Sequence, residues 1–235
     1  MFMPTISIPS QINVRYDDIG GWVRSVRHNR DRWAPDDTER DRRDRFLKTD
    51  FSLIESTLED ATVALEQFRQ GMDQFWTATR QWQEEIERWK EGYPHNGPSP
   101  KFDDRFIRKV PDLAARSFVF ALDILERCIQ SLAAEPWAPG GLDVVVTTWK
   151  IDFENVRKIR DSLHHVDERI HRVARGKAMP AAPIVMGSID GDTYVVTGAD
   201  GIVWGIDVTD ATLQHAADLI TQAVTSYDWS GYIAD

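Results

Sequence analysis

Residues 157 to 172, RKIRDSLHHVDERIHR, gather side chains that could move a proton or hold a phosphate. On a helix, positions four apart are neighbours, so Asp161 reaches His165, Arg160 reaches His164 and His164 reaches Glu168. A carboxylate beside an imidazole raises its pKa and fixes its tautomer, which brings the ring into the range useful for acid or base work near neutrality. Charge gathers here too. Arg157, Lys158, Arg160, Arg169, Arg172, Arg175 and Lys177 stand against Asp161, Asp167 and Glu168. The whole chain carries 28 Lys and Arg against 38 Asp and Glu, a formal charge of -10. A polyanion is therefore repelled by the molecule as a whole and would have to be met by this local patch, with Arg157, Arg169 and Arg172 holding its phosphates. The competing reading is a solvated helix face. Val156, Ile159, Leu163, Val166, Ile170 and Val173 fall together on one side as the expected core stripe, with Arg157, Arg160, Asp161, His164 and Glu168 on a neighbouring arc.

Other chemistries find less support. His164, Glu168 and His171 are spaced i, i+4, i+7, half of the ligand pattern of di-iron helical bundles, but the chain has no second Glu-x-x-His. Neither a metal nor a cofactor is expected. The sequence has no P-loop, no GxGxxG leading into a helix, no G-x-S-x-G and no HExxH. One cysteine, Cys128, cannot form an internal disulfide and lies on a pattern that predicts burial, which points to an intracellular chain. The first residues, MFMPTISIPSQINV, lack the basic and apolar regions of a signal peptide, and no run of about 18 apolar residues occurs. The expectation is a cytoplasmic protein with no membrane contact.

The elements that must position these residues follow from periodicity. With 235 residues, 42% of them hydrophobic, the chain can build one substantial core, and it reads as a single domain over 1–235. Residues 1–16 read as an extended or flexible N-terminus, 17–175 as a helical bundle, 184–208 as a small antiparallel hairpin or sheet, and 209–226 as a closing C-terminal helix. Within the bundle, apolar residues recur at spacings of three and four from Phe46 to Trp89, predicting one long amphipathic helix over about 38–91 with a bend near Gly71. GYPHNGPSP, 92 to 100, is a loop by its glycines and prolines. A second helix runs from Asp103 or Pro111 to Ala134, with Phe118, Leu122, Leu125 and Ile129 as its stripe. A third, from Val144 or Thr148 to Arg175, carries the charged stretch. Asp-Gly at 190 to 191 and at 200 to 201 marks hairpin turns among β-branched residues, and Thr209 or Asp210 caps the last helix.

In this setting R-D-S-L-H-H, Arg160 to His165, resembles the R-φ-x-x-x-H motif of HEPN domains, where φ is commonly Asn, Asp or His. The wider VRKIRDSLHHVDERI is similar to the conserved helix of uncharacterised bacterial HEPN-like proteins. The resemblance covers that helix and its helical context, about a quarter of the chain at most. It implies a mostly α, HEPN-like helical bundle, homodimeric, with two motif helices facing each other, acting as a metal-independent endoribonuclease on RNA. Arg160 would then bind or polarise the scissile phosphate, Asp161 would orient the site, and His165 would assist attack by the 2′-hydroxyl or protonate the leaving group, giving a 2′,3′-cyclic phosphate. His164 is a rival for that role, because Arg157 to His164 meets the looser spacing of the motif. The alternative is a non-catalytic binding or dimerisation protein, as many HEPN relatives are, in which the motif residues are structural and the partner is a protein, an antitoxin or another.

Overall fold

The computed structural model describes residues 5–7, 13–15, 37–94, 97–102, 107–164, 173–174, 177–178, 187–198 and 201–227. Its backbone is one long helix, α1, spanning Asp37–Glu91 and 55 residues, about 80 Å from end to end. The sequence explains both its length and its face. Leu47, Phe51, Ile54, Leu58, Ala61, Leu65 and Phe68 alternate at steps of four and three, and all are buried. The same alternation continues through Met72, Phe75, Thr79, Trp82, Ile86 and Trp89, which are only half-buried. This is a heptad seam running through the whole helix, with a partner helix over its first half.

That partner is α2, Lys109–Ala134, which lays Ala115, Phe118, Leu122, Leu125 and Ile129 against α1. At Gly71 a β-carbon would stand 2.8 Å from Pro111 Cδ, so the glycine supplies room for the first turn of α2. α1 runs through Gly71 as one helix.

The expected third helix is two helices. α3, Gly141–Asp152, ends at Phe153, whose backbone leaves the helical region (φ -113, ψ 27), and α4, Glu154–His164, begins at once. The break buries the Phe153 ring, 4.8 Å from Trp149 and stacked at 5.5 Å on His215. Nor does helix continue to Arg175: Val173–Ala174 (β3) pairs with Lys177–Ala178 (β4), so Val173 leaves the predicted stripe. Val156 and Ile159 are buried and Leu163 half-buried as expected, while Val166 and Ile170 lie outside the described residues.

The C-terminal third matches its reading closely. β5 (Ser188–Asp190), β6 (Thr193–Thr197) and β7 (Val203–Asp207) form an antiparallel sheet in that order, with Tyr194 paired to Ile189 on one side and Ile206 on the other. Gly191 and Gly201 of the two Asp-Gly pairs take positive φ, 59° and 79°, which a β-carbon would resist. Tyr194 and Val196 are buried, and the Tyr194 hydroxyl accepts from Arg116 Nε at 3.0 Å, tying the sheet to α2. A sheet this small depends on such packing, and α4 lies against its strands. α5, Asp210–Thr225, is capped by Thr209, whose hydroxyl accepts the Thr212 N–H at 3.3 Å, and buries Leu213, Ala216, Ala217, Ile220 and Val224. Arg69 holds Asp210 at 2.6 Å and so links α1 to the start of α5. At the N-terminus, Thr5–Ser7 (β1) and Asn13–Arg15 (β2) pair antiparallel, and β1 runs beside α5. The fold is mostly α, with a small antiparallel sheet and a closing helix. Buried side chains from all five helices and the three-stranded sheet form one core.

Candidate functional site at the seam of two helices

Arg160 sits on α4 at the seam with α2, and its side chain is only 13% exposed. Its Nη1 donates to Asp123 Oδ1 at 2.6 Å, while Nε and Nη2 both donate to Asp161 Oδ1, at 3.0 and 2.6 Å. Asp123 is itself buried and takes a second cation, Arg127 Nε, on its other oxygen at 2.9 Å. Burial works against the charge of Arg160, but hydrogen bonds to Asp161 and Asp123 outweigh it and hold the guanidinium above its ordinary pKa. Arg160 is therefore always charged and always partnered. Its electrostatic reach toward a phosphate is cut by two carboxylates at contact distance.

One turn away, Glu126 of α2 extends the pattern. Burial, then the neighbouring charge of Asp123, pushes its carboxyl above the usual range, while Arg157, Lys150 and Arg160 pull the other way. Its Oε1 accepts from Gln130 Nε2 at 2.6 Å. The direct ion pair between α2 and α4 is the one from Asp123 to Arg160, and the charges of Arg157 and Lys150 act on Glu126 without outweighing its burial.

The remaining predicted site residues divide. Asp161, which the resemblance gave the role of orienting the site, is an ion-pair partner of Arg160 on the same helix. Arg160 turns to Asp123 and Asp161, where spacing alone paired it with His164. His164 is exposed and sets its ring edge-on to Phe120, centroids 5.4 Å apart. Arg157 is exposed, one turn before Arg160. His165, Arg169 and Arg172 lie outside the described residues, as do Glu168 and His171. Lys158 is held within the fold, its ammonium 3.4 Å from Glu154 and 3.6 Å above the Trp204 ring. Among the described residues, two cations of the basic patch, Lys158 and Arg160, are thus engaged by groups of the same chain.

Sequence reasoning missed Asp123 and Glu126, although a signal existed. In the apolar run FVFALDILERCI, 118 to 129, they are the only acids, and both are buried. Buried acids in such a run demand cations from elsewhere in the fold, and Arg157 and Arg160 are the nearest supply in the patch. A second pair gave no local signal: His215 Nε2 lies 2.8 Å from Asp152 Oδ2, joining the end of α3 to α5 across 63 residues of sequence. Cys128 is buried as predicted, and burial, then the charge of Asp50, pushes its thiol up to about 11, far from a reactive thiolate.

Among the described residues, no group of His, Cys, Asp and Glu is placed to hold a metal ion. Among the same residues, no helix is long and apolar enough to cross a membrane. Comparison with protein-family models, curated proteins and solved structures returns no match.

Proposed function

We propose that this chain is a non-catalytic, cytoplasmic interaction protein, in which Arg160 and Asp161 are structural members of the clamp between α2 and α4. One observation carries the reading: the arginine expected to meet phosphate is nearly buried and hydrogen-bonded to Asp123 and Asp161. A phosphoryl oxygen would have to displace a carboxylate already in place at 2.6 Å, with little gain in charge. The partner on this reading is a protein, either a second copy forming a homodimer or a different chain such as an antitoxin.

A second reading rests on a different observation. Arg157 and His164 are both exposed and stand seven residues apart on α4, two helical turns, so they share a face open to solvent. This keeps a HEPN-like, metal-independent endoribonuclease in view, with RNA as substrate and His164 or His165 as the proton-transfer group. Incubating the purified chain with several single-stranded RNAs in EDTA separates the two. The first reading expects no cleavage. Cleavage by the wild type that is lost in folded His165→Ala, or in folded His164→Ala and Arg157→Ala, would replace it with the second.

A further inference from the structure

The second half of α1 extends past the start of α2, and something else covers its seam. Trp82 Nε1 donates to the carbonyl of Pro100 at 3.3 Å, and Trp89 Nε1 donates to the carbonyl of Gly97 at 2.8 Å. The two tryptophans are seven residues apart, about 10.5 Å along the helix. The two carbonyls are three residues apart in Gly97-Pro98-Ser99-Pro100, a segment that bends at Pro98. Two indole donors on one helix face are thus spaced to read carbonyls i and i+3 of a proline-rich segment, running antiparallel to α1. Phe102 completes the contact by packing on Trp82 at 5.4 Å and on Phe75 at 6.5 Å. Aromatic rings with an N–H aimed at a carbonyl form the surface by which proline-rich ligands are recognised.

The segment in place is a surface ligand. Gly97, Pro98 and Ser99 are exposed, and only Pro100 and Phe102 are half-buried. The aromatic track also continues beyond it to Trp76, which is 53% exposed and touches Phe75 at 5.1 Å. Charge selects the type of ligand. From Met72 to Glu91 the arm exposes Asp73, Glu84, Glu85, Glu87 and Glu91 against Arg80, Arg88 and Lys90, and the segment on it brings Lys101 directly after Pro100.

We propose that the distal half of α1 is a reader of proline-rich segments, occupied by residues 97–102 as a tethered ligand that a basic proline-rich segment of a partner displaces. This goes beyond the reading above, since it concerns other residues and names a partner class. A short tether gives the internal ligand an effective concentration in the millimolar range, so the wild type should bind a competing segment weakly. The test uses the full chain and a fluorescently labelled peptide, GPSPKF. With Pro98→Ala, Pro100→Ala and Phe102→Ala combined, peptide affinity should rise at least about tenfold over wild type. It should fall again when Trp82→Phe and Trp89→Phe are added, changes that keep a ring and remove the N–H donor. An equal affinity for the peptide GASAKF, or indifference to the two tryptophan changes, overturns the proposal. So does absence of binding by a strap variant whose circular dichroism matches wild type. If that variant loses its fold, the two indole N–H resonances of wild type decide the matter under millimolar peptide: shifts support displacement and unchanged positions overturn it. None of these outcomes depends on whether the chain cuts RNA.

Discussion

The seam between α2 and α4 and the distal half of α1 both concentrate side chains suited to recognition, and they place them in opposite settings. At the seam, Arg160 meets Asp123 and Asp161 with 13% of its side chain exposed, and Asp123 is more buried still at 7%. On the arm, half-buried Trp82 and Trp89 meet backbone carbonyls of a segment whose residues Gly97, Pro98 and Ser99 are exposed. Loss of a partner at the seam strands a charge where water cannot replace it, whereas on the arm water takes the place of the lost group. The first arrangement resists exchange of partners and the second permits it. This is why the seam reads as structure and the arm as a surface for another chain.

The largest effect that can break this contrast comes from Arg160→Ala. It leaves Asp123 buried with Arg127 alone, and the loss should be roughly 3 kcal/mol, at the lower end for a broken buried pair because that second cation remains. Chemical denaturation measures it directly. A loss no larger than that of an exposed ion pair, below about 1 kcal/mol, would put the seam in the same class as the surface.

Trp82→Ala should come next. It removes a half-buried ring and one donor, about 2 kcal/mol of local stability, felt mainly by residues 97–102. Hydrogen exchange should quicken in the distal half of α1 while the buried residues from Leu47 to Phe68 keep their protection. Equal loss in both halves would show that the arm is part of the same cooperative unit as the buried half of α1.

The smallest effect has a defined sign. The Glu126 carboxyl is raised, chiefly by burial and then by Asp123, so the folded state favours its protonated form. That contribution is fully present below the ordinary value of 4.5 and is lost as pH rises through the raised value. Glu126→Gln stays neutral throughout. Its melting temperature should equal that of wild type in acid and exceed it increasingly as pH climbs through this window. A difference that shrinks with rising pH would mean that the charges of Arg157, Lys150 and Arg160 outweigh burial at Glu126.

What could be read from the sequence was what local rules decide. The long helix read from apolar spacings of three and four, the Asp-Gly turns with Gly191 and Gly201, and the Thr209 cap each depend on residues a few positions apart and appear where expected, although Val63 and Trp76 of that spacing are exposed and Leu47 joins the core beside Phe46. The break at Phe153 did not announce itself, because an apolar residue there fits helical spacing equally well. Its ring is buried by Trp149 and His215, and His215 lies on an element 57 residues downstream of α3. Arg160 shows the same limit at the site. Spacing along one helix offered it His164, while its buried partner Asp123 lies 37 residues away on another. The loop 92 to 100 was legible as a loop from its prolines, but its role as a strap on Trp82 and Trp89 depends on carbonyl positions that residue types do not reveal.

Arg160 holds α2 to α4 through Asp123, and a double-mutant cycle on stability measures that coupling. Arg160→Met and Asp123→Asn are measured singly and together by denaturant unfolding, with circular dichroism confirming helical content. The clamp predicts that each single change destabilises strongly, that the double variant recovers part of the loss, and that the coupling exceeds about 1 kcal/mol. Additive losses within about 0.5 kcal/mol, with Arg160→Met as stable as wild type, would contradict it.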